Sequence, residues 1–142
     1  MAKIKKILVA LDGSKNSLRG LDMAIDLAVQ SHGTITALSV KSIPDIYAFH
    51  PLGFMDFDKS SEIKKILSSA KTRAEKKGIK LVGKMISGDP GYDIVKFANN
   101  TKNKIDMIVI GARGIGAAKE LFFGSISNYV MHKSKKPVLV IK

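Results

Sequence analysis

The chain has 142 residues, of which 45% are hydrophobic and 25% charged, a composition typical of an ordinary globular domain. It contains no cysteine, which excludes disulfides and thiolate chemistry, and no apolar run approaches the ~20 residues of a membrane-spanning helix. The N-terminal residues lack the apolar region of a signal peptide. We therefore expect residues 1–142 to form one cytoplasmic domain.

The net charge of +12 raises the question of a nucleic-acid partner, because phosphate contacts drive such binding. The basic residues are spread along the sequence, aromatic residues make up only 6%, and no stretch interleaves the two. This pattern favours a solvated basic surface over a specific nucleic-acid site. We expect weak, salt-sensitive binding to polyanions with little sequence preference.

Five apolar runs alternate along the chain with four helical patterns. The predicted strands cover residues 4–11, 34–40, 79–86, 105–110 and 138–141. The predicted helices cover residues 15–31, 60–77 and 125 to about 132, and a further helix begins at Pro90. Gly33 is expected to end the first helix, and Asp89 to cap the one that Pro90 opens. Such alternation predicts an α/β fold with a parallel sheet, right-handed crossovers and helices on both faces.

Two glycine clusters suggest an anion or nucleotide site. Gly111-Ala112-Arg113-Gly114 follows the fourth strand, and Gly124-Ser125-Ile126 opens the last helix. Glycine lets a phosphate approach the backbone, and the N–H groups at a helix start donate to anions. The spacing is neither the Walker pattern nor the dinucleotide fingerprint. Arg113, in the loop after the fourth strand, carries a charge that suits phosphate. Plain turn chemistry remains the alternative for the glycines, and a solvated loop position is the alternative for Arg113.

Asp12 follows the first predicted strand directly. Ligands of parallel α/β sheets bind at the carboxyl ends of the strands, where the strand order reverses. If the first and fourth strands are neighbours there, Asp12 and the glycine clusters face one crevice. Capping of the following helix is the alternative role for Asp12.

The sequence offers no group of residues that predicts a dedicated catalytic or metal centre. It contains no Ser/His/Asp or paired-carboxylate pattern, and His32, His50 and His132 lack metal-ligand spacing. We therefore assign no catalytic residue and no metal ligand. Whether the chain is an enzyme stays open at this point.

Several segments together resemble the universal stress protein family along essentially the whole chain. They are residues 7–14 (ILVALDGS), 88–91 (GDPG), 106–114 (DMIVIGARG), 124–125 (GS) and 135–142 (KKPVLVIK). The most specific element is the spacing of Gly111, Gly114, Gly124 and Ser125, which resembles the ATP-binding branch of that family. The resemblance implies a Rossmann-like five-stranded parallel sheet of order 3-2-1-4-5.

The resemblance also implies ligands and roles for residues of this chain. ATP is the implied ligand, and we expect Mg²⁺ to assist its binding. Gly111, Gly114, Gly124, Ser125 and the Ile126 N–H would meet the ribose and phosphates. Asp12 would lie near the ribose, Ala10 near the adenine, and the Val40 backbone at the adenine edge.

The implied function is a nucleotide-responsive regulatory or stress-response protein with at most slow ATP hydrolysis, because no general base is placed. One alternative is an enzyme related to the adenine-nucleotide hydrolases that activates a substrate through AMP. Its relatives resemble SGGxDS at the first loop, whereas residues 11–15 here read LDGSK. The other alternative is a polyanion or nucleic-acid binder.

The last strand also predicts an assembly. In the order 3-2-1-4-5 it lies at the edge of the sheet, is apolar on both faces and carries no charge or proline to block pairing. We therefore expect a homodimer in which two copies pair across a two-fold axis. The contacts would come from Val138, Leu139, Val140 and Ile141.

Overall fold

The computed structural model describes residues 3–43, 60–113 and 124–142. Its strands are β1 Lys6–Ala10, β2 Thr34–Ser42, β3 Leu81–Gly88, β4 Met107–Gly111 and β5 Val138–Ile141. Its helices are α1 Lys15–Ser31, α2 Ser60–Glu75, α3 Pro90–Asn99 and α4 Ser125–Lys133, with a short 3₁₀ turn at Thr101–Asn103. The strands form one parallel sheet in the order β3-β2-β1-β4-β5, which confirms the predicted fold class and strand order.

The sheet is covered on both faces by apolar helix surfaces. α1 and α2 pack on one face, where Leu21 of α1 and Ala70 of α2 join a cluster with Ile7 and Val9 of β1. The helices α3 and α4 cover the other face, where a second cluster contains Leu8 of β1. Successive β1 side chains point to opposite faces, and both faces are buried, so an all-apolar strand is the stable choice.

Three strands, β2, β3 and β4, end further along the chain than the apolar runs predict, whereas β5 has the predicted bounds and β1 is shorter at both ends. Ile79 and Ile105 are buried, yet both precede their strands. Burial follows side-chain packing, whereas strand bounds follow backbone pairing, and these residues close the core below the sheet. At the other end β2 and β3 continue past the apolar run, because Lys41 and Ser42 still pair with Ser87 and Gly88.

Two helix ends differ from their predictions. His32, not Gly33, takes the left-handed conformation that ends α1, with φ of 55°. Gly33 serves a close approach instead, since a Cβ there would lie 2.6 Å from the carbonyl oxygen of Lys5. The Asp89 side chain makes no capping bond, and the Asp93 carboxylate accepts from the Asp89 N–H at 2.8 Å. The prediction that Asp89 caps α3 through its side chain is therefore wrong.

No helix among the described residues is both long and apolar enough to pass through a membrane.

Candidate functional site

A cleft of about 670 Å³ opens at the carboxyl ends of β1, β2 and β4. This volume lies in the range of roughly 300–1,000 Å³ that small-molecule sites occupy. The first turns of α2, α3 and α4 also reach it, through Glu62, Pro90 and Ser125. The cleft therefore lies where the strand order reverses, with β2 and β4 on either side of β1.

One part of the cleft wall is apolar. Ala10 and Val40 stand near the ends of neighbouring strands β1 and β2, and Ile110 stands near the end of β4. Ile94 of α3 adds a fourth apolar side chain, and it is buried. A flat, weakly polar ring could be held against this wall by apolar burial.

The turn between β1 and α1 fixes the position of the Asp12 carboxylate. Asp12 Oδ1 accepts a hydrogen bond from the Ser14 N–H at 2.9 Å. Gly13 between them has φ of +85°, a conformation that favours glycine. The N-cap of α1 is Ser14, whose Oγ accepts from the Ser17 N–H at 3.2 Å. Asp12 thus stabilises the turn before α1 while its side chain lines the cleft.

The start of α4 is built differently from that of α1. Its N-cap is Gly124, which has no side chain to accept from the first-turn N–H groups. The Gly124 N–H donates to the carbonyl oxygen of Ala112 at 2.6 Å. Ser125 and Ile126, the first two residues of the helix, are exposed. Helix geometry gives the N–H groups of these residues no partner within α4, so they can donate to an anion in the cleft.

Ser127 ties the start of α4 to the end of β4. Its buried Oγ donates to the Ala112 carbonyl at 2.7 Å and lies 3.0 Å from that of Gly124. The Ala112 carbonyl therefore accepts two bonds, one from the Gly124 backbone and one from Ser127. These bonds therefore hold the start of α4 against Ala112, the residue that follows β4.

The motif glycines Gly111 and Gly124 are not required by backbone conformation, because neither has a positive φ. A Cβ on Gly111 would lie 2.9 Å from the backbone carbonyl carbon of Asn16, in the first turn of α1. Close packing of α1 on β4 thus accounts for Gly111. A Cβ on Gly124 would lie 3.1 Å from the Ala112 carbonyl oxygen, a tighter contact than most side chains make.

The structure brings most of the predicted site residues to this one cleft. The lining includes Ala10, Asp12, Val40, Gly111, Arg113, Gly124, Ser125 and Ile126. Gly114 lies outside the described residues. Among the described residues no group of three histidine or acidic side chains could hold a metal ion.

Sequence reasoning missed several lining residues, among them Lys41, Glu62 and Ile94. Lys41 comes from the extension of β2 past its apolar run, and its Nζ donates to Ser60 Oγ at 3.4 Å. Glu62 lies in the first turn of α2. Lys41 could have been found from the rule that ligands bind at the carboxyl ends of strands. Glu62 could have been found by applying the same rule to the helix starts at that end of the sheet.

Comparisons with known proteins agree with this fold. The model of the universal stress protein family matches residues 3–142. Universal stress protein YxiE of Bacillus subtilis is 35% identical over 150 residues, covering 96% of this chain and 98% of that protein.

Two solved structures are similar along nearly the whole chain. MJ0577 of Methanocaldococcus jannaschii matches with a TM-score of 0.86 and 28% identity, over 99% of this chain and 97% of that one. A universal stress protein of Archaeoglobus fulgidus in complex with dAMP matches with a TM-score of 0.73 and 28% identity, over 99% of this chain and 100% of that one. Because the family model matches residues 3–142, which contain the whole sheet and the cleft, this chain belongs to the universal stress protein family.

Proposed function

We propose that the chain binds ATP with Mg²⁺ in this cleft and acts as a nucleotide-responsive regulatory homodimer in the cytoplasm, in the response to stress. Residues 1–142 then act as one domain of the universal stress type. The observation that carries the proposal is the start of α4, where an N-cap without a side chain faces a cleft that also contains Asp12. The dAMP complex of the Archaeoglobus fulgidus relative supports an adenine nucleotide as the ligand.

The shape and chemistry of the cleft favour one orientation of the nucleotide. The apolar wall near Ala10 and Val40 suits the adenine ring, and the first turn of α4 suits the phosphates. Arg113 adds a positive charge on the phosphate side. Asp12 lies at the end of β1, where its carboxylate can accept from a ribose hydroxyl.

Mg²⁺ would enter with the nucleotide. It prefers oxygen ligands and usually binds through one or two carboxylates together with substrate phosphates. Asp12 and Glu62 are the carboxylates that line the described part of the cleft. Because the described residues hold no three-ligand metal group, we expect Mg²⁺ without ATP to bind weakly.

Hydrolysis would be slow if it occurs at all. The Asp12 carboxylate already accepts the Ser14 N–H, which favours its role in positioning over abstraction of a proton from water. The state of the bound nucleotide, rather than rapid turnover, would then carry the signal.

The proposal is tested by binding to the intact protein. Mass spectrometry of purified, undialysed protein should detect retained adenine nucleotide, and calorimetric titration should show ATP·Mg²⁺ binding stronger than that of GTP·Mg²⁺. Absence of ATP binding at millimolar concentration would contradict the proposal.

The phosphate end of the cleft is tested by Gly124→Val. Its side chain would crowd the Ala112 carbonyl and the N–H groups beside it, so we expect ATP affinity to fall at least about tenfold, or ~1.4 kcal/mol. Ser125→Ala, which removes only a hydroxyl, should weaken binding by less, and Ser69→Ala on α2 is the matched control outside the cleft. Melting curves separate lost binding from lost folding. Normal ATP binding by a folded Gly124→Val variant would mean that the phosphates lie elsewhere.

A further inference from the structure

The amino-terminal edge of the sheet, at the opposite end from the cleft, collects lysines from every layer of the fold. They stand before strands or after helices, at positions that the sequence separates widely. We call this surface the basic edge; its lysines, all exposed or half-exposed, are Lys5, Lys76, Lys77, Lys80, Lys102, Lys104, Lys133, Lys135 and Lys136.

Backbone hydrogen bonds fix these lysines relative to one another. They join each strand start to its neighbour across the sheet, in the pairs Ile35–Lys80, Thr34–Lys5, Asp106–Lys6 and Ile108–Pro137. Neighbouring strands lie about 4.8 Å apart, so five strands place the row along roughly 19 Å. The backbone at Lys5 and Lys80 is therefore held by the neighbouring strands, and the other lysines lie next to strand starts or helix ends.

Helix dipoles explain only some of these charges. Lysines at or just after helix ends, such as Lys133 and Lys76, are favoured by the partial negative charge of a helix C-terminus. Lys80 and Lys135 precede strands and lie beyond the ends of the helices before them, so a helix dipole does not account for their charges. The Lys5 Nζ, in contrast, donates to the carbonyl of Ser31 at the end of α1. The local balance is also one-sided, because Glu75 and Asp106 are the carboxylates that the described chain brings to this edge.

Asp106 offsets part of the charge, because hydrogen bonds from neutral N–H groups leave its carboxylate negative. Its Oδ2 accepts from the backbone N–H groups of both Lys5 and Lys6, each at 2.9 Å. The Lys5 Nζ donates to the Ser31 carbonyl at 2.9 Å, a neutral group. With nine lysines against the carboxylates of Glu75 and Asp106, the edge keeps a net positive charge.

We propose that the basic edge binds the phosphate backbone of duplex nucleic acid without sequence preference. Lysine is a point charge that suits phosphate, whereas base readout depends mainly on bidentate arginine or amide contacts. Residues 3–6, 76–80, 102–104 and 133–136, which carry these lysines, include no Phe, Tyr or Trp on which unpaired bases could stack, and this favours a duplex over a single strand. A row of ~19 Å spans on the order of five phosphates of one strand.

The test is fluorescence anisotropy of short labelled duplexes of two unrelated sequences, with the intact protein. For about five phosphate contacts, affinity should fall roughly 10²- to 10³-fold between about 50 and 200 mM salt, equally for both sequences. The variant Lys80→Gln/Lys102→Gln/Lys135→Gln removes three charges from the edge. Its affinity should fall at least about tenfold, and its salt slope should drop by about one for each lysine that contacts a phosphate.

The matched control is Lys64→Gln/Lys65→Gln/Lys71→Gln, which removes the same charge from the exposed side of α2. Its affinity should stay within about twofold of the wild type. Equal losses in both variants would overturn the proposal, because net charge alone would then explain the binding. Absence of duplex binding at low salt, or binding only to phosphatidylserine vesicles or polyglutamate, would overturn it as well.

Discussion

At the scale of single residues, Gly20 and Gly111 meet where α1 packs on β4. A Cβ on Gly20 would lie 3.7 Å from Val109 Cγ1, which is ordinary van der Waals contact. A Cβ on Gly111 would lie 2.9 Å from both the Cβ and the backbone carbonyl carbon of Asn16. This contact therefore has room for a methyl group on Gly20 of α1 but not for one on Gly111 of β4.

This asymmetry predicts opposite effects of the same substitution. Gly111→Ala should destabilise the fold by about 1–3 kcal/mol, because the helix backbone must move to make room. Gly20→Ala should stabilise it by about 0.5–1 kcal/mol, because glycine inside a helix costs conformational entropy. Urea denaturation of both variants and the wild type measures these changes. A Gly111→Ala variant as stable as the wild type would show that α1 does not pack so closely on β4.

At the scale of elements, β5 combines an edge position with apolar side chains on both faces. Val138 and Val140 pack against the cluster under α3 and α4, and Leu139 and Ile141 pack against the other. All four remain half-buried. Pairing with a second copy would satisfy the backbone groups of the strand and bury this remaining apolar surface.

For the homodimer we expect light scattering of the wild type to give twice the monomer mass at micromolar concentration. Val140→Lys should raise the dissociation constant at least about tenfold, because two lysines would approach each other near the axis. Val82→Lys is the control, since Val82 is exposed on β3 at the opposite edge of the sheet. A monomer mass for the wild type, or equal effects of the two variants, would exclude pairing through β5.

The element sequence and the fold class were predictable because apolar periodicity and glycine or proline breaks are local signals. Strand bounds were less so, because Ile105 is buried before β4 while Lys41 pairs beyond the apolar run of β2. The role of Gly111 was also hidden, since its neighbour Asn16 is distant in sequence. Among the residues that line the cleft, the glycines and Asp12 belong to short motifs and could be predicted from the sequence. Glu62 could not, because it reaches the cleft only through the packing of α2.

At the scale of the whole molecule, the two ends of the sheet differ in charge. Among the described residues, the carboxyl end mixes Asp12, Glu62, Asp89 and Asp93 with Lys41 and Arg113, whereas the amino end carries the basic edge. The lysines look scattered in the sequence because no strand start or helix end contributes more than two of them. Only the parallel arrangement, which puts every strand start at the same edge, brings them together.

The separation of the two ends predicts that their ligands bind independently. The length of β1 alone is about 16 Å, more than the Debye length of ~8 Å at physiological salt. Saturating ATP·Mg²⁺ should therefore change duplex affinity by less than about twofold at that ionic strength. Anisotropy titrations with and without ATP measure the coupling. A larger change would mean that the nucleotide alters the structure of the sheet or its helices.

The Ala112 carbonyl accepts hydrogen bonds from the Gly124 N–H and from Ser127 Oγ, so the end of β4 is joined directly to the start of α4. The N–H groups in the first turn of α4 are therefore held in position by the sheet. A ligand that binds there would not have to bear the entropic cost of ordering this turn, so the first turn of α4 is preorganised for an anion.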